Sequence, residues 1–316
     1  MTGRCVLVTG ASGFLGRQVV THLSGGGYQV RALTRQAVSL PGVETFQVGT
    51  YDTVQELEPA LHGVDSIVHL AGLAHVPAWG RVWTAGAWNR LQAQSHVRPA
   101  EAMAQAAIRK GVRRMVYISS LAALASSSAA PVEPLSPPQP NGAYGRAKLR
   151  AEHRLGEICR GSGLELVIVR PPMIYGRGGP GNASRLAAWI RRGRPVPVPA
   201  QANSRSILYV GNFLSLLQKI LETPRPPDWP VLVQDDRPVS TEELARMVGD
   251  AVGEPARIWK VPAVALQGLT KLVPRALTEK LWGNLAVDSS QTETFYHWAP
   301  TVKVEEGIQL SFGGRS

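Results

Sequence analysis

The segment Gly10-Ala11-Ser12-Gly13-Phe14-Leu15-Gly16 constrains the fold more than any other part of the chain. It follows a short apolar run at residues 5–8 and precedes helical spacing over residues 14–24, which Gly25-Gly26-Gly27 stop. Glycines at its first, fourth and seventh places leave backbone N–H groups free to approach a phosphate, and a helix N-terminus adds positive potential there. Strand, glycine turn and helix in this order predict a dinucleotide-binding βα unit. Gly10, Ser12, Gly13, Phe14, Leu15 and Gly16 would then line the pyrophosphate.

The alternation continues downstream. Residues 28–33, 43–48, 66–70, 114–119 and 164–170 read as strands, with helical spacing at 54–61, 88–110 and 144–160. Strands alternating with helices imply an α/β fold, a Rossmann-type doubly wound parallel sheet. After Arg170 the composition shifts to Pro171-Pro172 and a glycine loop at 176–181, then to short mixed elements, with helices expected at 184–192, 241–252 and 264–272. The expected division is a dinucleotide-binding domain over 1–172 with 206–236 and a smaller C-terminal substrate-binding lobe over 173–205 with 237–316. Residues 121–143 are rich in Ser and Pro without a period, which in a compact domain suggests an active-site loop.

Composition excludes several classes. A chain of 316 residues with 44% hydrophobic and 18% charged residues has enough apolar side chains for a core, so extended disorder is ruled out. Two cysteines, Cys5 and Cys159, make neither a disulfide framework nor a cysteine-based metal site, and they suit a reducing, cytoplasmic compartment. No metal site is expected. The longest uncharged run, 115–132, carries five serines and meets Pro131, so membrane insertion is not expected; nor is a signal peptide. The formal charge of +11 suits an anionic ligand. Scattered basic residues without interleaved aromatics argue against nucleic acid.

Three further features carry chemistry. The second strand ends in Leu33-Thr34-Arg35, with no carboxylate to hold a free ribose 2′-hydroxyl, so Arg35 faces either a 2′-phosphate or solvent. This favours NADP(H), with NAD(H) as the alternative. Tyr144-Gly145-Arg146-Ala147-Lys148 sets a phenol and an ammonium on one side of a helix. A tyrosine pKa near 10 is too high for proton transfer at neutral pH unless a cation lowers it. Ser119-Ser120 closes the fifth strand, at the carboxyl edge where open α/β sheets bind ligands, and would orient a substrate carbonyl or merely cap the turn.

In combination, the N-terminal Thr-Gly-x-x-Gly-x-x-Gly, the strand-end serine, Tyr-x-x-x-Lys and Arg170-Pro171-Pro172-Met173-Ile174-Tyr175-Gly176 resemble the extended short-chain dehydrogenase/reductase superfamily, in its branch of nucleotide-sugar epimerases and dehydratases. Residues 182–194 and 205–212, Ala286-Val287-Asp288-Ser289-Ser290, Trp298-Ala299-Pro300 and Glu305-Glu306-Gly307 look most like bacterial 4-reductases of UDP-4-keto-6-deoxy-N-acetylglucosamine. The resemblance implies Tyr144 as catalytic acid/base, Lys148 as its electrostatic partner and cofactor ligand, and Ser120 as the carbonyl-orienting hydroxyl. It further implies cofactor contacts at Leu70, Ala71 and Pro171, and UDP contacts at Asn182 and Arg205. Two positions depart from the family. His96 stands where an asparagine is usual, and Thr50 where an acidic residue meets the adenine.

An NADP(H)-dependent 4-ketoreductase of a UDP-linked N-acetylhexosamine is therefore the leading expectation. A UDP-sugar 4-epimerase with retained NAD comes second, and a dinucleotide-binding sensor without turnover third. Leu121 and Ala122 follow Ser120, so the acid/base pair of a dehydratase is missing. His75, Trp79, Trp83 and Trp88 read as pocket walls, core packing or the contact of a homodimer.

Overall fold

The structure, a computed structural model, describes residues 4–72, 85–262 and 283–314. His75, Trp79, Trp83 and the helix expected at 264–272 lie outside the described residues. The chain divides into two compact units. The first comprises Met1–Leu124, Gly142–Arg170 and Leu217–Val231, and the second Ala125–Asn141, Pro171–Leu216 and Leu232–Ser316.

The first unit is built on a seven-stranded sheet. Its strands are β1 (Cys5–Thr9), β2 (Gln29–Thr34), β3 (Glu44–Gln47), β4 (Ser66–His69), β5 (Arg114–Ile118), β6 (Glu165–Arg170) and, from far along the chain, β10 (Val231–Leu232). Their order is β10-β6-β5-β4-β1-β2-β3, with β1 paired in parallel to both β2 and β4. The order reverses at β1, which sets the carboxyl ends of β1 and β4 at the topological switch point where such sheets bind ligands. Helices α1 (Phe14–Gly25), α3 (Ala85–Arg109) and α4 (Ala143–Cys159) connect the strands, the fold class read from the sequence. β1, β4 and β5 are buried along their whole length, as the centre of a sheet covered on both faces requires.

Two sequence expectations shift. The helix expected at 54–61 is α-helical only as α2 (Val54–Leu57), then tightens to a 3-10 turn over Glu58–Leu61, where Pro59 has no N–H to offer an α-helical carbonyl. The helix expected at 184–192 begins earlier, as α5 (Asn182–Ile190), directly after Gly181.

In the second unit short parallel pairs replace the large sheet. β7 (Met173–Tyr175) pairs with β9 (Ile207–Tyr209), and β8 (Val196–Pro199) with β11 (Ile258–Val261). Helices α7 (Thr241–Val252), α8 (Ser290–Tyr296) and α9 (Val304–Phe312) complete it, and α6 (Val210–Glu222) follows β9. α7 starts at Ser240 with a full capping box to Glu243 and stops at Gly253 in the left-handed conformation. The Ser/Pro-rich stretch is tied in by ladder bonds, Val132 N–H to Ala286 O and Asp288 N–H to Val132 O, both 2.9 Å.

Candidate active site

The glycine turn is shaped by contacts that side chains would block. Gly10 has φ +66°, open to glycine at no steric cost, and a Cβ there would lie 3.1 Å from Ala71 N. A Cβ on Gly16 would fall 2.2 Å from Gly10 O, so only glycine lets α1 pack this close to the end of β1. Gly13 is the N-cap and supplies no capping side chain, which leaves the first-turn N–H groups of α1 for an outside acceptor. Thr9 Oγ1 accepts from Leu70 N–H and Ala71 N–H, both 3.1 Å, and stitches β1 to β4 just below the turn. Arg17 Nε donates to Ser12 O at 3.1 Å and steadies the loop. These features fit a dinucleotide: a tight side-chain-free turn, an uncapped helix N-terminus and a basic residue beside it.

At the end of β2, Thr34 is buried and Arg35 exposed. Tyr51 Oη donates to Leu33 O at 2.8 Å and approaches Gly10 N at 3.4 Å. This tyrosine, unremarked in the sequence, braces the glycine turn against β2; only its place one residue past Thr50 hinted at it.

Ser120, Tyr144 and Lys148 come together at the carboxyl end of β5. Gly142 precedes α4 at φ +121°, a backbone that side-chain-bearing residues rarely adopt, and so swings Tyr144 into the first turn of the helix. The Ser120 hydroxyl lies close enough to the Tyr144 phenol to act on its proton affinity. Burial pushes the phenol up, and the Ser120 hydroxyl opposes that. Ser120 also caps the 3-10 turn Leu121–Ala123, accepting from Ala122 N–H at 3.2 Å. Lys148 is 5% exposed. Its Nζ donates to Ile118 O at 2.8 Å and lies 4.8 Å from the centre of the Tyr117 ring. Burial lowers it to about 8, while Glu152 pulls the other way.

Several supporting groups were not legible in the sequence. Glu152, one further turn along α4, accepts from the Ser119 hydroxyl and is clamped by Arg170, Nη2 to Oε2 2.6 Å, with both side chains buried. His69 stacks on Tyr117 at 5.9 Å and meets Thr9 Oγ1 through Nδ1 at 3.1 Å. Because that hydroxyl accepts two N–H groups, its one proton points to Nδ1 and the ring proton falls on Nε2. Burial and the Lys148 charge lower His69 to about 3, so it is neutral. His96 meets Tyr144 edge to face, ring centres 5.3 Å apart, and its ring fills the space a Cβ on Gly72 would need, 2.5 Å away. The position that departs from the family thus touches the tyrosine directly.

Asn182 and Arg205 belong to the second unit. Asn182 is exposed and opens α5 after Gly181, which gives no side-chain cap. Arg205 bridges Val239 and Leu285 through its backbone and donates from Nη1 to Gly283 O at 2.6 Å. Trp88 lies half-buried on α3. Among the described residues no His, Cys, Asp and Glu group could hold a metal ion, and no helix is long and apolar enough to cross a membrane.

Fold and site together define a Rossmann-type α/β protein with a Ser-Tyr-Lys constellation. Residues 6–230 match the model of the NAD dependent epimerase/dehydratase family, and the chain belongs to that family. A UDP-glucose 4-epimerase of Vibrio cholerae is 28% identical over 97% of this chain and 94% of its own length. Two solved structures share the fold. One is a UDP-N-acetylglucosamine 4-epimerase from Bacillus cereus (TM-score 0.77, 19% identity, 97% of each chain). The other is a UDP-glucose 4-epimerase from Thermus thermophilus in complex with NAD (TM-score 0.76, 21% identity, 98% of this chain and 97% of that one).

Proposed function

We propose that the protein reduces the C4 ketone of a UDP-linked 6-deoxy-N-acetylhexosamine with NADPH. The observation that carries oxidoreduction is the meeting of Tyr144 with Ser120 at the ligand-binding edge of the sheet, backed by the Lys148 cation. When bound in the glycine turn, a nicotinamide dinucleotide supplies the hydride. Tyr144 then gives its phenolic proton to the ketone oxygen as that oxygen takes up the electron pair of the former C=O bond, and the product is the alcohol. Ser120 orients the ketone. Lys148 offsets the phenolate left behind until solvent returns a proton. Contrary to the expectation that the Lys148 cation lowers it, burial raises the Tyr144 phenol, which keeps it protonated at the start of the step and makes it a weaker acid. Asn182 and Arg205 are the proposed holders of the UDP group, the guanidinium matching a diphosphate with its forked donors.

Preference for NADP(H) rests on exposed Arg35 and the absence of a carboxylate at the end of β2. A charge-assisted contact with a 2′-phosphate is worth roughly 1.5–3 kcal/mol, so Arg35→Ala should weaken NADPH binding about ten-fold or more and leave NADH binding unchanged.

A 4-epimerase with retained NAD is the second reading, favoured by the Vibrio cholerae relative that matches nearly the whole chain. Incubation with UDP-4-keto-6-deoxy-N-acetylglucosamine and NADPH separates the two. Stoichiometric loss of NADPH absorbance supports the reductase. Interconversion of UDP-N-acetylglucosamine and its galacto epimer without added cofactor, with NADPH untouched, assigns the epimerase.

A further inference from the structure

From Leu166 to Leu221 the sequence contains no Asp or Glu. Arg177, Arg185, Arg191, Arg192 and Arg194 in that stretch are all exposed. Three of them gather where α5 turns into β8, beside two exposed tryptophans. Trp189 is 40% exposed, donates from Nε1 to Pro195 O at 3.0 Å, and carries the Arg194 guanidinium 4.8 Å above its ring. Trp259 is 61% exposed and sits in register with Pro197 across the β8–β11 pair. Strand alternation sorts this pair into two faces. Val196, Val198 and Ile258 pack on the core of the second unit, while Pro195, Pro197, Arg257 and Trp259 face outward and are exposed. Val196 N–H bonds to Arg257 O at 2.8 Å, which brings Arg257 beside Pro195 and joins the two tryptophan environments into one surface.

We propose that this face of the second unit docks on an anionic phospholipid bilayer. The composition is that of an interfacial surface: aromatic rings with one polar atom each, prolines that give no N–H to an open strand edge, and arginines at the rim. Charge selects the anionic headgroup. Among the described residues, the acidic groups placed beside β11 include Glu254, on the loop before it, and Glu242, already engaged by Arg246 at 2.8 Å and Lys260 at 3.5 Å. A soluble polyanion would engage the arginines and leave Trp259 and the proline face without a partner; a bilayer surface takes both.

The test is co-sedimentation of the full chain with vesicles of phosphatidylcholine alone and of phosphatidylcholine mixed with phosphatidylglycerol. Binding should require the anionic lipid and weaken as salt rises. A basic residue near such a surface contributes about five-fold in affinity, so Arg192→Ser with Arg194→Ser should lower partitioning roughly 20-fold. Arg160→Ser with Arg225→Ser removes the same charge from exposed sites of the first unit and should change it little. Trp259→Ser should weaken binding at every salt concentration, because its contribution is not screened. Equal partitioning to both vesicle types, or equal loss in the two double variants, overturns the proposal. So does a self-associated chain that Trp259→Ser returns to monomer without any effect of vesicles, since that assigns the face to a second copy.

Discussion

Two buried polar clusters, one in each unit, meet the same desolvation problem in opposite ways. In the first unit Lys148 carries its ammonium into the core with one described hydrogen bond, to Ile118 O, and an aromatic ring beneath it. In the second unit Asp235, 1% exposed, receives Tyr175 Oη on Oδ2 at 2.7 Å, and Asn212 Nδ2 and Tyr209 N–H on Oδ1, both at 2.8 Å. Asn212 in turn donates to Val302 O and accepts from the Thr301 and Val302 N–H groups, which ties α6 to the approach of α9. The saturated cluster fixes chain segments far apart in sequence. With one described bond for three N–H donors, the lysine keeps donor capacity in hand.

Tyr144→Phe attacks the first cluster and should have the largest effect. Loss of the proton donor should lower turnover by about 10²–10⁴-fold while the melting temperature and cofactor affinity stay close to wild type. Retention of most activity would remove Tyr144 from the mechanism and erase the contrast between the clusters.

Asp235→Ala attacks the second. It strands the Tyr175 hydroxyl and the Tyr209 N–H, each a group that costs about 1–3 kcal/mol when unpaired, and takes one of two acceptors from the Asn212 amide, so urea unfolding should show a loss of about 2–6 kcal/mol. The same carboxyl has a pH signature. Burial raises it to about 6 from an ordinary 3.8, against the pull of its three donors. The folded state therefore binds its proton more tightly, and this contribution is fully present below pH 3.8 and lost as pH rises through about 6. Asp235→Asn should flatten that part of the stability profile. His69, lowered to about 3, has the opposite slope, gaining stability as pH rises toward 6.5, so the comparison is between variant and wild type at each pH.

Gly72→Ala gives the smallest expected effect and sharpens the role of His96. The new methyl would sit 2.5 Å from His96 Nδ1, and overpacking of this kind costs about 1–3 kcal/mol. Because His96 also touches Tyr144, turnover should fall along with stability, and Gly72→Ala combined with His96→Asn should recover part of both. Equal activity at reduced stability would confine the histidine to packing.

Much of the first unit was legible because its signals are local. An apolar run, a glycine turn and an amphipathic run specify β1 and α1 without help from the rest of the chain, and Tyr144 and Lys148 share a face through helical geometry alone. The brace from Tyr51, the Glu152–Arg170 clamp behind Lys148 and the His96 contact were not legible. Each joins residues whose pairing depends on which strands become neighbours, and sequence spacing carries no trace of that. In the second unit the helix at 241–252 was legible at its observed bounds and that at 184–192 nearly so, while the strands were not, since strands of three or four residues fall below the length at which periodicity speaks.

The sequence by itself determined the alternation, the side-chain-free turn after β1 and the placing of Tyr144 and Lys148 on one helix face. Backbone sterics and side-chain period act over a few residues, and those features need nothing more. Tertiary structure alone decided the electrostatic state of the site residues: Lys148 lowered by burial, Tyr144 raised against the pull of Ser120, His69 kept neutral. A pKa answers to the solvent removed and the charges brought near, and both are set by elements that meet only when the sheet has formed.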